Sequence, residues 1–255
     1  MRDLLDDLQN CLDPHEAARA SQQRPLPRRF YKDVTLGEAE DGFRILLDGR
    51  PVRTPARAIF AVPSRELGEA VADEWRRQEK EINPHLMPLT RLINVALDGV
   101  ARDPEASAAE IVRYAGTDLI CYRAEGPERL VARQGEMWDP VLDWLRQEHG
   151  ARFVLSAGIV HVAQPEESLA RIDALVPRDA LRLTALVSLT SLLGSALLSL
   201  ALFHGRVTPA EAWATAHVDE DWNIEQWGED DLAASRRAAR QVEMQAAADI
   251  LRLLA

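Results

Sequence analysis

From Leu183 to Phe203 the chain carries no charged residue, a run of roughly the ~20 residues that cross a bilayer. Any fold for this sequence must put that run out of water, either in lipid or at the centre of a protein core. Its small polar residues decide between the two. Thr184, Ser188, Ser191, Ser195 and Ser199 recur at helical spacing, so they form one stripe that lets neighbouring helices come close. Arg178, Asp179 and Arg182 precede the run, His204-Gly205-Arg206 follows it, and no second apolar span comes after. The pattern predicts the buried central helix of a helical bundle, with a membrane-associated factor anchored by 183–203 as the competing reading.

The rest of the 255-residue chain has an ordinary globular balance, with 47% apolar and 28% charged residues. That length and composition suit two ordinary domains or one large one. A formal net charge of −11 disfavours nucleic acid and anionic lipid as partners and leaves basic protein surfaces open. Two cysteines, Cys11 and Cys121, rule out a disulfide framework and suit a reducing compartment. The acidic start, Met1-Arg2-Asp3-Leu4-Leu5-Asp6-Asp7, resembles neither a signal peptide nor a transit peptide. A bacterial cytoplasmic protein, or an already processed organellar one, is expected.

Along the chain, residues 1–27 read as a lead-in, with a short helix starting at Asp13-Pro14. Residues 28–126 read as an α+β domain. Phe43–Leu47 followed by Asp48-Gly49 predicts a hairpin, and short strands around Pro51–Pro55 and Ala58–Val62 extend an antiparallel sheet. Ser64 opens a helix carrying Leu67, Val71 and Trp75. A second helix is expected over 91–100 and a third from Asp103-Pro104 to about Tyr114. Leu119–Tyr122 reads as a strand returning to this sheet. Beyond Gly126-Pro127 the character turns helical, and residues 127–255 form a helical domain. Its helices are expected near 128–149, 166–176, 178–204, 209–217 and 229–254, and only 153–162 could be extended. Thr208-Pro209-Ala210-Glu211 has the form of a capping box.

Catalytic signatures are missing. The chain has no phosphate-binding glycine loop and no Gly-x-Ser-x-Gly elbow. His15, His85, His149, His161, His204 and His217 lack the spacing of a metal pair. No cofactor and no metal is expected. Carboxylates are abundant, so a small-molecule enzyme with a carboxylate pair in an inter-domain cleft stays open as the alternative.

Three clusters stand out instead. Asp219-Glu220-Asp221-Trp222-Asn223-Ile224-Glu225-Gln226-Trp227-Gly228-Glu229-Asp230-Asp231 places seven carboxylates around two tryptophans. It reads either as a solvated helix-loop-helix with Trp222 and Trp227 turned inward, or as an acidic recognition surface with an aromatic anchor. Trp75 falls on the Leu67–Val71 face and reads as core, or else as lining a cleft. Tyr114–Arg123 combines hydroxyls, Asp118 and Arg123, which suits a buried hydrogen-bond network at the domain joint.

These stretches also occur in an order that resembles one family. Arg29-Phe30-Tyr31-Lys32, Leu47–Pro55, Val62-Pro63-Ser64, Glu74-Trp75 with Gln78, Met87–Thr90, Thr117–Arg123, Trp138-Asp139-Pro140 and Glu225-Gln226-Trp227-Gly228 follow one another. The set is similar to the ATP synthase assembly chaperones called ATP-twelve, over residues 28–240. The resemblance implies a small α+β domain followed by an orthogonal helical bundle. It implies a chaperone, not an enzyme, that binds the free alpha subunit of the catalytic head and shields its beta-contacting surface until the ring assembles; the sequence itself shows no heptad seam, so a monomer is expected. It further implies that Trp75 and Asp219-Glu220-Asp221 are functionally sensitive; together with Glu225 and Trp227 of the same acidic, aromatic cluster, these are the expected partner-binding residues. Asp219 stands where a relative has glutamate, keeping the charge with a shorter reach.

Overall fold

The computed structural model describes residues 26–254, so the expected helix at Asp13-Pro14 lies outside the described residues. The chain divides into two compact units between Arg102 and Asp103, and Leu253 groups with the first unit. The expected boundary near residue 126 therefore falls inside the second unit. The third predicted helix and the 119–123 run belong to the second unit, not to the sheet domain.

In the first unit, β1 (Val34–Ala39) and β2 (Gly42–Leu47) pair antiparallel with Ala39 opposite Gly42. Gly42 has φ +112, and a Cβ there would lie 2.4 Å from the Val62 carbonyl oxygen, so the turn admits only glycine without rearrangement. β3 (Arg50–Pro51) pairs with the end of β2 across Asp48-Gly49. Both of these residues take positive φ, 47 and 77, as the primed two-residue hairpin turn requires. β4 (Ala61–Val62) pairs with the start of β2. Helix α1 (Arg65–Arg76) packs Leu67 and Val71, both fully buried, against this sheet. Ser64 caps it by accepting from Leu67 N, and its hydroxyl donates to the Leu253 carbonyl at 2.8 Å. Helix α2 (Pro88–Asp98) follows and has no side-chain cap of its own at Met87.

The second unit holds α3 (Pro104–Ala115), α4 (Glu128–His149), α5 (Glu166–Leu175), α6 (Ala180–Leu193), α7 (Ala196–Phe203), α8 (Pro209–Ala216), α9 (Val218–Trp227) and most of α10 (Asp231–Leu253). The capping box on α8 forms as its sequence predicts. The uncharged run is two helices, not one. Gly194, at φ +68, ends α6, and Ser195 starts α7 by accepting from Leu198 N at 3.0 Å. Ala196 to Leu202 are all buried, so nearly every side of α7 faces the core. The polar stripe does not run unbroken: Ser195 and Ser199 are buried, while Ser191 is exposed. No helix among the described residues is long and apolar enough to cross a membrane.

Leu119–Cys121 is a 3-10 turn, and only Tyr122–Arg123 is strand (β5). It pairs parallel with β6 (Ser156–Ala157), the one extended patch in an otherwise helical unit.

Candidate functional sites

Trp75 sits in the last turn of α1. Helical geometry turns Leu67, Val71, Glu74 and Gln78 inward and leaves Trp75 at the edge of that face, half-buried. The expectation that it joins Leu67 and Val71 in the core is thus corrected. Tyr31 donates its hydroxyl to the Trp75 carbonyl at 2.8 Å, and the two rings meet edge-on with centroids 5.7 Å apart. The Arg29 guanidinium lies over the Tyr31 ring, 4.6 Å from its centre, and burial raises the Tyr31 phenol above its ordinary value. Phe30, 73% exposed, stands beside them. Together with Leu47, Val52, Arg50 and Arg53 these rings line a groove of about 500 Å³. The indole N–H of Trp75 is buried and finds no acceptor among the described residues.

The neighbours of Trp75 in sequence do structural work that the sequence did not announce. Glu74 is 6% exposed and accepts from Leu89 N (2.7 Å), Thr90 N (2.8 Å) and Thr90 Oγ1 (2.7 Å). A carboxylate from α1 thereby caps α2, whose own N-cap is a methionine. Burial pushes the Glu74 carboxyl up, against the lowering effect of those hydrogen bonds. Gln78 accepts from Asn83 N and donates to the Glu74 carbonyl. In the sequence, Glu74 and Gln78 stand out by helical spacing and by their place in the ordered motifs, and neither signal points to these partners.

The acidic cluster lies on α9. Asp219 accepts from the amide of Gln134 at 2.7 Å, and Gln134, 1% exposed, also accepts from Ala124 N. Asp221 pairs with Arg237 at 2.5 Å and Glu225 with Arg133 at 2.7 Å. Glu220 approaches Nε2 of buried His217 at 3.6 Å, and burial holds that imidazole below its ordinary value. Much of the cluster is therefore compensated within the chain. The two tryptophans part company. Trp222 is half-buried with Arg129 6.0 Å from its ring centre, whereas Trp227 is 86% exposed. The inward reading holds in part for Trp222 and fails for Trp227. Trp227 borders a shallow groove of about 400 Å³ with Ile224, Ala233, Ala234, Glu229 and Asp230. An exposed indole beside an apolar floor and a carboxylate rim suits a protein surface that is basic and apolar in turn.

The Tyr114–Arg123 cluster is structural and lies wholly within the second unit. Asp118 is fully buried. One oxygen accepts from Ile120 N at 3.3 Å and the other from Leu197 N at 3.0 Å, so it caps both the 3-10 turn and α7. Burial raises its carboxyl to about 6, against the lowering influence of Ser195 and the surrounding N–H groups. Arg123 donates to Asp139 at 2.7 Å and lies 5.1 Å from the ring centre of Trp138, whose indole donates to the Thr215 carbonyl. Burial pushes the Cys121 thiol to about 12, which makes it a poor nucleophile. Among the described residues no three metal-ligating side chains come together.

Known proteins match this arrangement along its length. The family model described as the ATP12 chaperone protein matches residues 28–146. The chain superposes on the crystal structure of a putative chaperone from Agrobacterium tumefaciens with TM-score 0.88, at 49% identity, covering 100% of this chain and 97% of that one. It superposes on Atp12 from Paracoccus denitrificans with TM-score 0.84, at 38% identity, covering 90% of this chain and 99% of the other. It is also 26% identical over 227 residues to the mitochondrial atp12 protein of Schizosaccharomyces pombe, spanning 83% of this chain and 78% of that protein. The chain belongs to the ATP12 chaperone family, the ATP synthase assembly chaperones that its ordered motifs resemble.

Proposed function

We propose that this chaperone binds the free alpha subunit of the ATP synthase catalytic head, covers the surface that alpha later gives to beta, and catalyses no reaction. The observation that carries the reading is Trp227. Among the described residues, nothing covers this indole, which is 86% exposed beside carboxylates and an apolar floor. We assign contacts with alpha to Trp227, Glu220 and Glu225 on the acidic helix, supported by Asp219 and Asp221, and to Trp75 in the first unit. A ring subunit awaiting assembly exposes apolar surface that would otherwise aggregate. A partner that masks it must also release it, which favours a few aromatic anchors inside a salt-sensitive charged rim. The acting form is a monomer in the bacterial cytoplasm.

Size-exclusion chromatography of the purified protein with free alpha tests this, with beta added in a parallel run. The expected result is co-elution with alpha and release by beta. Absence of any complex at low salt would overturn the reading and return attention to small-molecule ligands.

A further inference from the structure

The aromatic groove around Trp75 has a charge opposite to that of the protein as a whole. On a chain of net charge −11, its lip carries Arg50 and Arg53, both exposed. Elsewhere surface arginines are met by carboxylates: Arg44 by Asp41, Arg65 by Glu38, Arg133 by Glu225. Neither Arg50 nor Arg53 pairs with a carboxylate among the described residues. The one carboxylate on the lip, Asp48, accepts from the backbone N–H groups of Asp33 and Lys32, which hold its carboxyl below its ordinary value.

Arg53 stands on a braced turn. The buried carboxylate of Asp98 accepts from Thr54 Oγ1 at 2.6 Å and from Ala56 N at 2.9 Å, and Arg57 N donates to the Thr54 carbonyl at 2.8 Å. Arg57 takes φ +69, and its carbonyl accepts from Arg53 Nη1 at 2.9 Å. One donor of the Arg53 fork is thereby fixed, and the rest of the planar fork is left for acceptors from outside the chain. The floor beside it is Leu47 and Val52, and three rings form the wall. Phe30 meets Tyr31 edge-on at 5.4 Å, and Tyr31 meets Trp75 edge-on at 5.7 Å. Phe30, 73% exposed, offers its free face to an apolar side chain.

We propose that this groove docks a segment of a partner protein in which carboxylates alternate with large apolar side chains. The carboxylates pair with Arg50 and Arg53, and an apolar side chain packs on Phe30 over Leu47 and Val52. A densely charged phosphate chain is repelled by the protein's overall charge, whereas such a segment brings only a few carboxylates and gains the apolar floor as well. The acidic helix α9 calls for a basic surface, so the two surfaces read client segments of opposite sign. The inference rests on Trp75 being a contact residue of the chaperone, and it assigns the chemistry of what is contacted there.

The test uses the full chain and a short capped peptide in which aspartate alternates with phenylalanine and leucine. In nitrogen-15 spectra this peptide is expected to shift the amides of Val52 and Arg53 and the indole N–H of Trp75, with a Kd on the order of 0.1–1 mM that weakens as salt is raised. The same peptide with lysine for each aspartate should leave those signals in place. A version with serine for each apolar residue should bind about fivefold more weakly or worse. Arg50→Glu/Arg53→Glu should abolish the shifts, with the remaining signals reporting an unchanged fold, and Phe30→Ser should weaken binding by about fivefold. Groove signals that stay in place up to about 5 mM peptide, that respond equally to the lysine peptide, or that still shift in the double variant would overturn the proposal. Equal shifts from acetate or from the serine peptide would make this a small-anion site and overturn it too. No alpha subunit is present, so failure here with alpha still co-eluting would remove the groove's acidic ligand and leave the chaperone reading standing.

Discussion

The carboxylate of Glu74 accepts both the backbone N–H and the hydroxyl of Thr90, at 2.8 and 2.7 Å. Two helices are fastened by this one side chain next to the Trp75 groove. Glu74→Gln presents an amide to donors that need acceptors and leaves buried groups unsatisfied. We expect a loss of about 2 kcal/mol in urea unfolding, with binding of alpha by the folded fraction unchanged. A loss under about 0.5 kcal/mol would show that α2 does not depend on this cap.

Trp75→Arg separates the two readings of that tryptophan. At a groove edge a guanidinium can reach water, so the variant should fold cooperatively and stay soluble, with about 1–2 kcal/mol lost through the Tyr31 ring contact and packing. Co-elution with alpha should fall at least tenfold. Failure to fold would return Trp75 to the core.

Asp118 makes stability depend on pH. Its carboxyl rises from 3.8 to about 6 on folding, so the folded state binds this proton more tightly than the unfolded state. The Asp118 contribution is therefore most favourable below pH 3.8 and declines as pH rises, reaching its full penalty above about 6. The difference is on the order of 2–3 kcal/mol. Asp118→Asn, which carries no charge, should flatten the urea midpoint across that window. A parallel pH dependence in both proteins would refute the assignment.

Charge reversal on α9 should distinguish binding from folding. Glu220→Lys with Glu225→Lys alters exposed or half-exposed carboxylates, and the Glu225–Arg133 pair is a surface pair worth ~0–1 kcal/mol. Stability should hold to within about 1 kcal/mol, while affinity for alpha drops at least tenfold and its salt dependence weakens. Asp219→Lys should behave differently, because it removes the partner of buried Gln134 and costs stability as well. Unchanged binding in the double variant would take the acidic helix out of the mechanism.

Elements with local signals were legible from the residues alone. Asp48-Gly49 set a hairpin because two consecutive positive φ angles are cheap there. Thr208–Glu211 set a helix start because the box closes within one turn. The missing charges of 183–203 set a core, and the acidic run set the character of α9. Features that depend on partners distant in the chain became visible once those partners were packed together. Gly194 could have sat within one long helix; Asp118, 79 positions from Leu197, made it a break by capping the helix that restarts there. Glu74 looked like any surface glutamate until Thr90 was placed against it. Trp75 and Trp227 each carried two readings, core or surface. Spacing along a helix fixes the direction a side chain takes from its own axis, but only the packing of other elements decides whether anything covers it.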